Sequence, residues 1–151
     1  MHITSPSFAD HGEIPRAFTC KGDDTSPELR FADVPPGAKS LALIVDDPDA
    51  PDPAAPKRVW VHWVVYDLPH ATTSLADGAL PPGARAGKND WGKAEWGGPC
   101  PPVGRHRYFF KLYALDVVLP DLREPTKAAL LEAMEGHVLA EAELVGTYQK
   151  S

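Results

Sequence analysis

Ser40-Leu41-Ala42-Leu43-Ile44-Val45 and Val59-Trp60-Val61-His62-Trp63-Val64-Val65-Tyr66-Asp67 are the two runs whose reading decides the fold class. Both are rich in β-branched and aromatic residues, and both are too short for helices of ordinary length, so they read as strands buried on two faces. Between them, Asp46 to Pro56 is dense in Pro, Ala and Asp and reads as a loop. A third strand is expected from about Arg107 to Val118. Alternation there puts His106, Tyr108, Phe110 and Leu112 on one face and Arg107, Phe109, Lys111 and Tyr113 on the other.

Further along, Thr126 has the chemistry of an N-cap for a short helix carrying Leu130, Leu131 and Met134 on one side, with Gly136 as its stop. The remainder alternates with period two from Val138 to Gln149 and reads as a last strand. Its apolar positions fit a core or the seam of a homodimer. Strands joined by Pro/Gly-rich turns, with one late helix, imply a mostly β, mainly antiparallel sandwich with one or two short peripheral helices.

Composition agrees. The 151 residues are one domain's worth, 43% hydrophobic and 24% charged, and the 17 prolines and 12 glycines favour short strands and structured turns over a helical bundle. Against 21 acidic residues stand 15 scattered basic ones, a net charge of −6. That excludes the electrostatic footprint of a nucleic-acid binder, and any anion must be met locally. No apolar run approaches a membrane helix, and the first residues lack the basic start and apolar core of a secretory signal, so the cytoplasm is the expected compartment. Cys20 and Cys100 show neither a disulfide framework nor zinc-ligand spacing, and read as free thiols of a reducing compartment. No cofactor or metal is implied.

Three clusters could carry chemistry. Asp46-Asp47-Pro48-Asp49-Ala50-Pro51 closes a buried strand, where carboxylates need partners; an EF-hand counted from Asp47 fails, because Asp52 and Arg58 stand where it needs Gly and Glu. His62 shares a face with Trp60 and Val64 by alternation; alone, it reads as a buried imidazole satisfied by a carbonyl. Gly97-Gly98-Pro99-Cys100-Pro101-Pro102 runs into His106-Arg107-Tyr108, a rigid loop whose amides could form an anion-binding concavity beside a histidine and a phenol. A P-loop is excluded, because no Gly-Lys-Ser/Thr follows.

Taken together, DPDAP, the strand carrying His62-Trp63, GGPCPP and His106-Arg107-Tyr108 resemble the phosphatidylethanolamine-binding protein family, in particular its bacterial Raf-kinase-inhibitor-like branch. Cys20 to Pro27 near the start and Gly136 to Tyr148 at the end extend the resemblance over nearly the whole chain. It implies a β-sandwich with a small rigid pocket at one end for phosphate-type anions, including phospholipid head groups. By motif, Asp47, Asp49, His62, Gly98, Pro99, His106 and Tyr108 are the ligand-binding residues, and Ala50-Pro51 is a cis bond. No counterpart of the C-terminal helix of the longer members is expected after Gly146-Thr147-Tyr148, so the lipid-tail contacts inferred from those members are not expected here.

Chemically, two imidazoles, a phenol and backbone amides would surround the anion, with Asp47 accepting from one nitrogen of a histidine whose other nitrogen donates to the ligand. Arg107, on the opposite face, is expected to pair with an acid of the fold. The favoured expectation is a binding module and not an enzyme. Second comes regulation of a kinase or another protein partner through the pocket rim, as the family's name implies. Third comes an ester or phosphoester hydrolase using an Asp-His general base, against which the sequence has no Gly-X-Ser-X-Gly elbow.

Overall fold

A computed structural model describes residues 1–150. The strands are β1 (His2–Thr4), β2 (Gly12–Glu13), β3 (Leu29–Ala32), β4 (Ser40–Ala50), β5 (Arg58–Pro69), β6 (Ser74–Leu75), β7 (Arg85–Ala86), β8 (Arg105–Leu115) and β9 (Val138–Gln149), with helix α1 (Lys127–Met134) before β9 and a single 3-10 turn at Arg16–Phe18. Six strands form one sheet in the order β2-β9-β8-β4-β5-β7, antiparallel except where β2 runs parallel to β9; β1, β3 and β6 form a smaller antiparallel sheet.

The expected mostly β sandwich is the observed one. Leu41, Leu43, Val45, Phe110 and Leu112 on the inner face of the large sheet pack with Ile3, Leu29, Phe31 and Leu75 of the small sheet into one core. On the outer face Ala42, Ile44, Val64, Tyr66 and Leu115 pack beneath Leu130 and Met134 of α1. β4 is therefore covered on both sides, which is why Leu41 to Val45 is a continuous apolar run.

Thr126 caps α1 as read, its hydroxyl accepting from the Ala129 amide at 3.2 Å, and Gly136 follows at φ 81°. Leu131, placed on the apolar side by sequence, is instead exposed; α1 buries Leu130 and Met134, four residues apart, against the sheet, with Ala133 packed beside them.

Three further expectations are corrected. The stretch from Asp46 is not all loop, since β4 continues to Ala50. Pro48 is tolerated there because the pairing with β5 slips between Asp47 and Ala50, so no ladder bond needs its missing N–H. The third strand begins at Arg105 and ends at Leu115, short of Val118. Finally, Cys20 and Cys100 are not free thiols but a disulfide, their Cα atoms 5.5 Å apart across 80 residues of sequence. Spacing gave no hint of the pair because the fold alone brings them together, and the reducing-compartment expectation loses its premise. No helix is long and apolar enough to cross a membrane among the described residues.

Candidate functional site

At one end of the large sheet, Asp47 of β4, Trp60 and His62 of β5 and His106 and Tyr108 of β8 border a hollow of about 470 Å³, closed by Ala50-Pro51 on one side and Cys100-Pro101-Pro102 on the other. Lys57, Arg58 and Trp91 complete its rim. A hollow of about 520 Å³ near the N-terminus is wider, but its ionisable residues are all exposed or half-exposed.

His62 reaches this hollow through a bulge. Val45 faces Trp63 and Asp46 faces Val61, so His62 is the extra residue of β5. A bulge re-aims the side chains around it, and here it separates His62 from Val64, which packs in the outer core beneath α1. The sequence reading had put the two on one face; strict alternation cannot foresee an inserted residue. The freed backbone is used at once. The Gly97 amide donates to the His62 carbonyl at 3.0 Å, and His62 Nδ1–H donates to the Gly97 carbonyl at 2.6 Å.

That clamp fixes the imidazole's proton. A carbonyl can only accept, so Nδ1 carries the hydrogen and Nε2 of the neutral ring is left as an acceptor. Burial keeps the ring neutral: His62 is 3% exposed, and desolvation pulls its pKa down to about 4. Its face is set by aromatic neighbours, with Tyr108 and Trp91 each edge-on at 5.1 Å between ring centres. Tyr108 is itself buried, and desolvation followed by the nearby Asp47 carboxylate drives its pKa far upward, so its hydroxyl keeps its proton.

His106 differs from expectation. Nδ1 donates to Asp47 Oδ2 at 2.6 Å, as the Asp-His pairing predicts, but Nε2 lies 2.9 Å from the Val103 carbonyl. Both ring nitrogens are taken up by neighbours within the wall, so neither is turned toward the hollow as a free donor. Burial raises the Asp47 pKa more than the His106 hydrogen bond lowers it, and Oδ1 accepts from the Asp49 amide at 2.7 Å.

Asp49, Gly98 and Pro99 do not border this hollow. The Asp49 carboxylate receives two hydrogen bonds from the Arg107 guanidinium, at 2.9 and 3.0 Å, and one from the Arg107 amide; this fork holds it below the usual carboxylate range. Arg107 is thus paired with an acid, as its place on the strand predicted. Gly98 lies behind the loop, where its amide donates to Asp24 Oδ1 at 2.8 Å and a Cβ would strike Asp24 Oδ1 and the Phe18 carbonyl. The Pro99 carbonyl accepts from the Cys20 amide. With Gly97 and Gly98 amides engaged and three prolines lacking an N–H, these residues do not form the expected concavity of free amides.

Trp60, Trp91, Lys57 and Arg58 were not read as site residues. The Arg58 guanidinium lies 4.4 Å over the Trp60 ring, whose Nε1 is buried without a partner, and Trp60 meets Trp91 edge-on at 5.4 Å. Trp60 carried a signal, since it alternates with His62; Trp91 carried none, because the Asn89 to Lys93 turn brings it in from a distant loop.

A two-sheet β protein with a preformed, proline-walled hollow at one end of the larger sheet is the class that the fold and site define. A model of phosphatidylethanolamine-binding proteins matches residues 4–149. A UPF0098 protein of Chlamydia pneumoniae is 51% identical over 151 residues, covering 100% of both chains. The crystal structure of CT736, a phosphatidylethanolamine-binding protein homolog from Chlamydia trachomatis, matches with a TM-score of 0.93 at 48% identity, over 99% of this chain and 97% of that one. That of Escherichia coli YbcL, a member of the mammalian PEBP family, matches with a TM-score of 0.88 at 33% identity, over 99% and 98%. The chain belongs to the phosphatidylethanolamine-binding protein family.

Proposed function

We propose that the protein is a binding module for a small oxyanion of the phosphate type, free or as the head group of a larger molecule, held in the hollow between Asp47, His62, His106 and Tyr108. The observation that carries this reading is a pair of open polar atoms on one wall. Among the described residues neither Tyr108 Oη nor His62 Nε2 takes a hydrogen-bond partner, and neither is sealed from the hollow, the one sealed and unpartnered side-chain atom being Trp60 Nε1. Lys57 and Arg58 add positive charge at the rim. The nearby acids are already engaged, Asp47 by His106 and Asp49 by Arg107.

Binding without turnover is favoured over hydrolysis by the lining itself. The residues around the hollow include no serine or threonine, and its one cysteine is tied in the disulfide. The Asp47-His106 pair lacks a free nitrogen to act as base, since Nε2 faces the Val103 carbonyl. Regulation of a kinase or another protein partner would use the rim and finds no specific support among these contacts. The test is titration with inorganic phosphate followed by NMR. Saturable movement of His62 and Tyr108 side-chain signals is expected, with His106 little changed. Signals of both residues that stay fixed at millimolar phosphate overturn the reading.

A further inference from the structure

We propose that the hollow selects an oxyanion that still carries a hydroxyl, a phosphomonoester in its singly protonated form, and disfavours a phosphodiester, with His62 Nε2 accepting the ligand's P–OH hydrogen. This rests on the phosphate-type reading above and sharpens it.

The argument is one of matching donors to acceptors. A fully deprotonated phosphate offers acceptors alone, so a site built for it would present donors. This site presents a donor and an acceptor on two rings whose centres lie 5.1 Å apart. The Tyr108 hydroxyl keeps its hydrogen and can donate. His62 cannot donate from the edge that faces the hollow, because its single proton is committed to Gly97 at 2.6 Å on the loop side. Gly97 does not border the hollow, so the ring's opposite edge, which carries Nε2, is the one presented to a ligand.

A ligand oxygen without a hydrogen placed at Nε2 would set lone pair against lone pair. That costs the desolvation of both groups, with no bond in return. Protonating His62 to cure the clash would place a positive ring in a buried wall, and desolvation opposes it. The remaining route is for the ligand to bring the hydrogen. Monoesters of phosphoric acid carry one in their monoanion, which predominates below their second pKa of about 6, whereas a diester anion has none.

Sealed contacts of this kind discriminate strongly against an analogue that lacks the hydrogen, because the buried partner is left unpaired. The size of the hollow, about 470 Å³, leaves room beyond the phosphoryl group for the ester's organic part against Trp60 and Trp91.

The test uses three ligands of equal charge at about pH 5.5, where phenyl phosphate is mostly a monoanion. Phenyl methylphosphonate places a methyl group where the monoester has P–OH, and methyl phenyl phosphate is the corresponding diester. Calorimetric titration is expected to show phenyl phosphate binding about tenfold or more tightly than either analogue, a loss typical of one unpaired buried acceptor. In His62→Leu the preference is expected to disappear, the monoester then binding no better than the phosphonate. The wild type supplies an independent readout, since 15N NMR of His62 is expected to show Nε2 unprotonated before and after binding, and shifted by an accepted hydrogen bond after it. Equal affinity of phenyl phosphate and phenyl methylphosphonate, or an Nε2 that gains a proton on binding, overturns this inference and leaves the oxyanion reading standing. Failure of all three ligands to bind overturns both.

Discussion

Acidification should weaken this protein through a single buried ring. The His62 pKa is about 4 in the folded chain against 6.5 for a solvated histidine, because burial disfavours the imidazolium. Between those values the unfolded chain binds a proton that the folded chain refuses, so unfolding gains as pH falls. The contribution is therefore complete above about pH 6.5, drains away toward pH 4, and changes no further below it. A gap of about 2.5, at ~1.4 kcal/mol for each tenfold, gives roughly 3 kcal/mol. Solvent screening scarcely reduces it, since the side chain is 3% exposed. Asp47 works in the opposite direction: its raised pKa lets the folded state take up a proton before the unfolded one does, so the raw stability curve mixes both signs. The comparison that isolates His62 is with His62→Gln, whose amide can still donate to the Gly97 carbonyl and does not titrate. Urea denaturation in steps from about pH 7.5 to pH 4 should show the wild type losing roughly 3 kcal/mol more than the variant across this window. The His62 ring proton shifts, followed by NMR, should turn over near pH 4. Parallel stability curves, or a midpoint near 6.5, would refute both the buried neutral ring and the ligand chemistry built on it.

The disulfide closes 80 residues, so reduction with dithiothreitol, or Cys20→Ser, should cost about 2 to 4 kcal/mol, read as a lower urea midpoint; an unchanged midpoint, with both thiols alkylated in the absence of reductant, would mean the bond does not form. Gly98→Ala puts a methyl group against Asp24 Oδ1 and the Phe18 carbonyl, so it should destabilise by roughly 1 to 3 kcal/mol, with NMR shifts spreading to Gly97 and His62; a variant as stable as wild type would show that the loop can move away freely. Asp47→Asn leaves His106 facing a neutral amide inside the wall, and a loss of roughly 3 to 5 kcal/mol is expected in thermal or urea unfolding, where a loss below 1 would mean that the pair is solvated.

The long elements were legible because their cause is local. Leu41 to Val45 is apolar on both faces, Thr126 caps and Gly136 stops, and the strand at His106 to Tyr113 alternates cleanly, its even and odd positions lying on the faces assigned to them. The short strands were not legible: β2, β6 and β7 are two residues each, and pairing with longer neighbours holds them, with no pattern of their own. The same boundary runs through the site. The motifs brought Asp47, His62, His106 and Tyr108 to one hollow, and the Ala50-Pro51 bond is cis as the resemblance implied. The second partner of His106 depends on where the turn at Gly104 leaves the Val103 carbonyl. The bulge at His62 depends on its pairing with β4, and the disulfide on two loops meeting. Each is a relation between segments that no window of sequence contains.

On the proposed oxyanion reading, the Asp-Asp-Pro-Asp end of β4 has to reconcile a net charge of −6 with a hollow that admits an anion. Three carboxylates within four residues would repel one, yet strand geometry sends each to a different partner. Asp46 turns to the outer face, where Lys111 at 3.2 Å and Lys127 at 2.7 Å meet it at the start of α1. Asp47 turns inward to His106, and Asp49, past the slip at Pro48, falls to the Arg107 fork. Only Asp47 borders the hollow, and its Oδ2 is engaged by His106 Nδ1 at 2.6 Å within the wall. Lys57 has no carboxylate within ion-pair distance among the described residues, while Arg58 is stacked on Trp60 and 3.9 Å from Asp90. The potential in the hollow is thus set by which cations remain after the local acids are matched, and overall charge is a poor guide to it. By this logic Lys127→Ala, at a residue that does not border the hollow, should leave anion affinity nearly unchanged because Lys111 still holds Asp46. Arg107→Ala should weaken it several-fold by releasing the Asp49 charge beside the site. If the two variants affected affinity equally, the partition of charge along β4 would not be what admits the anion.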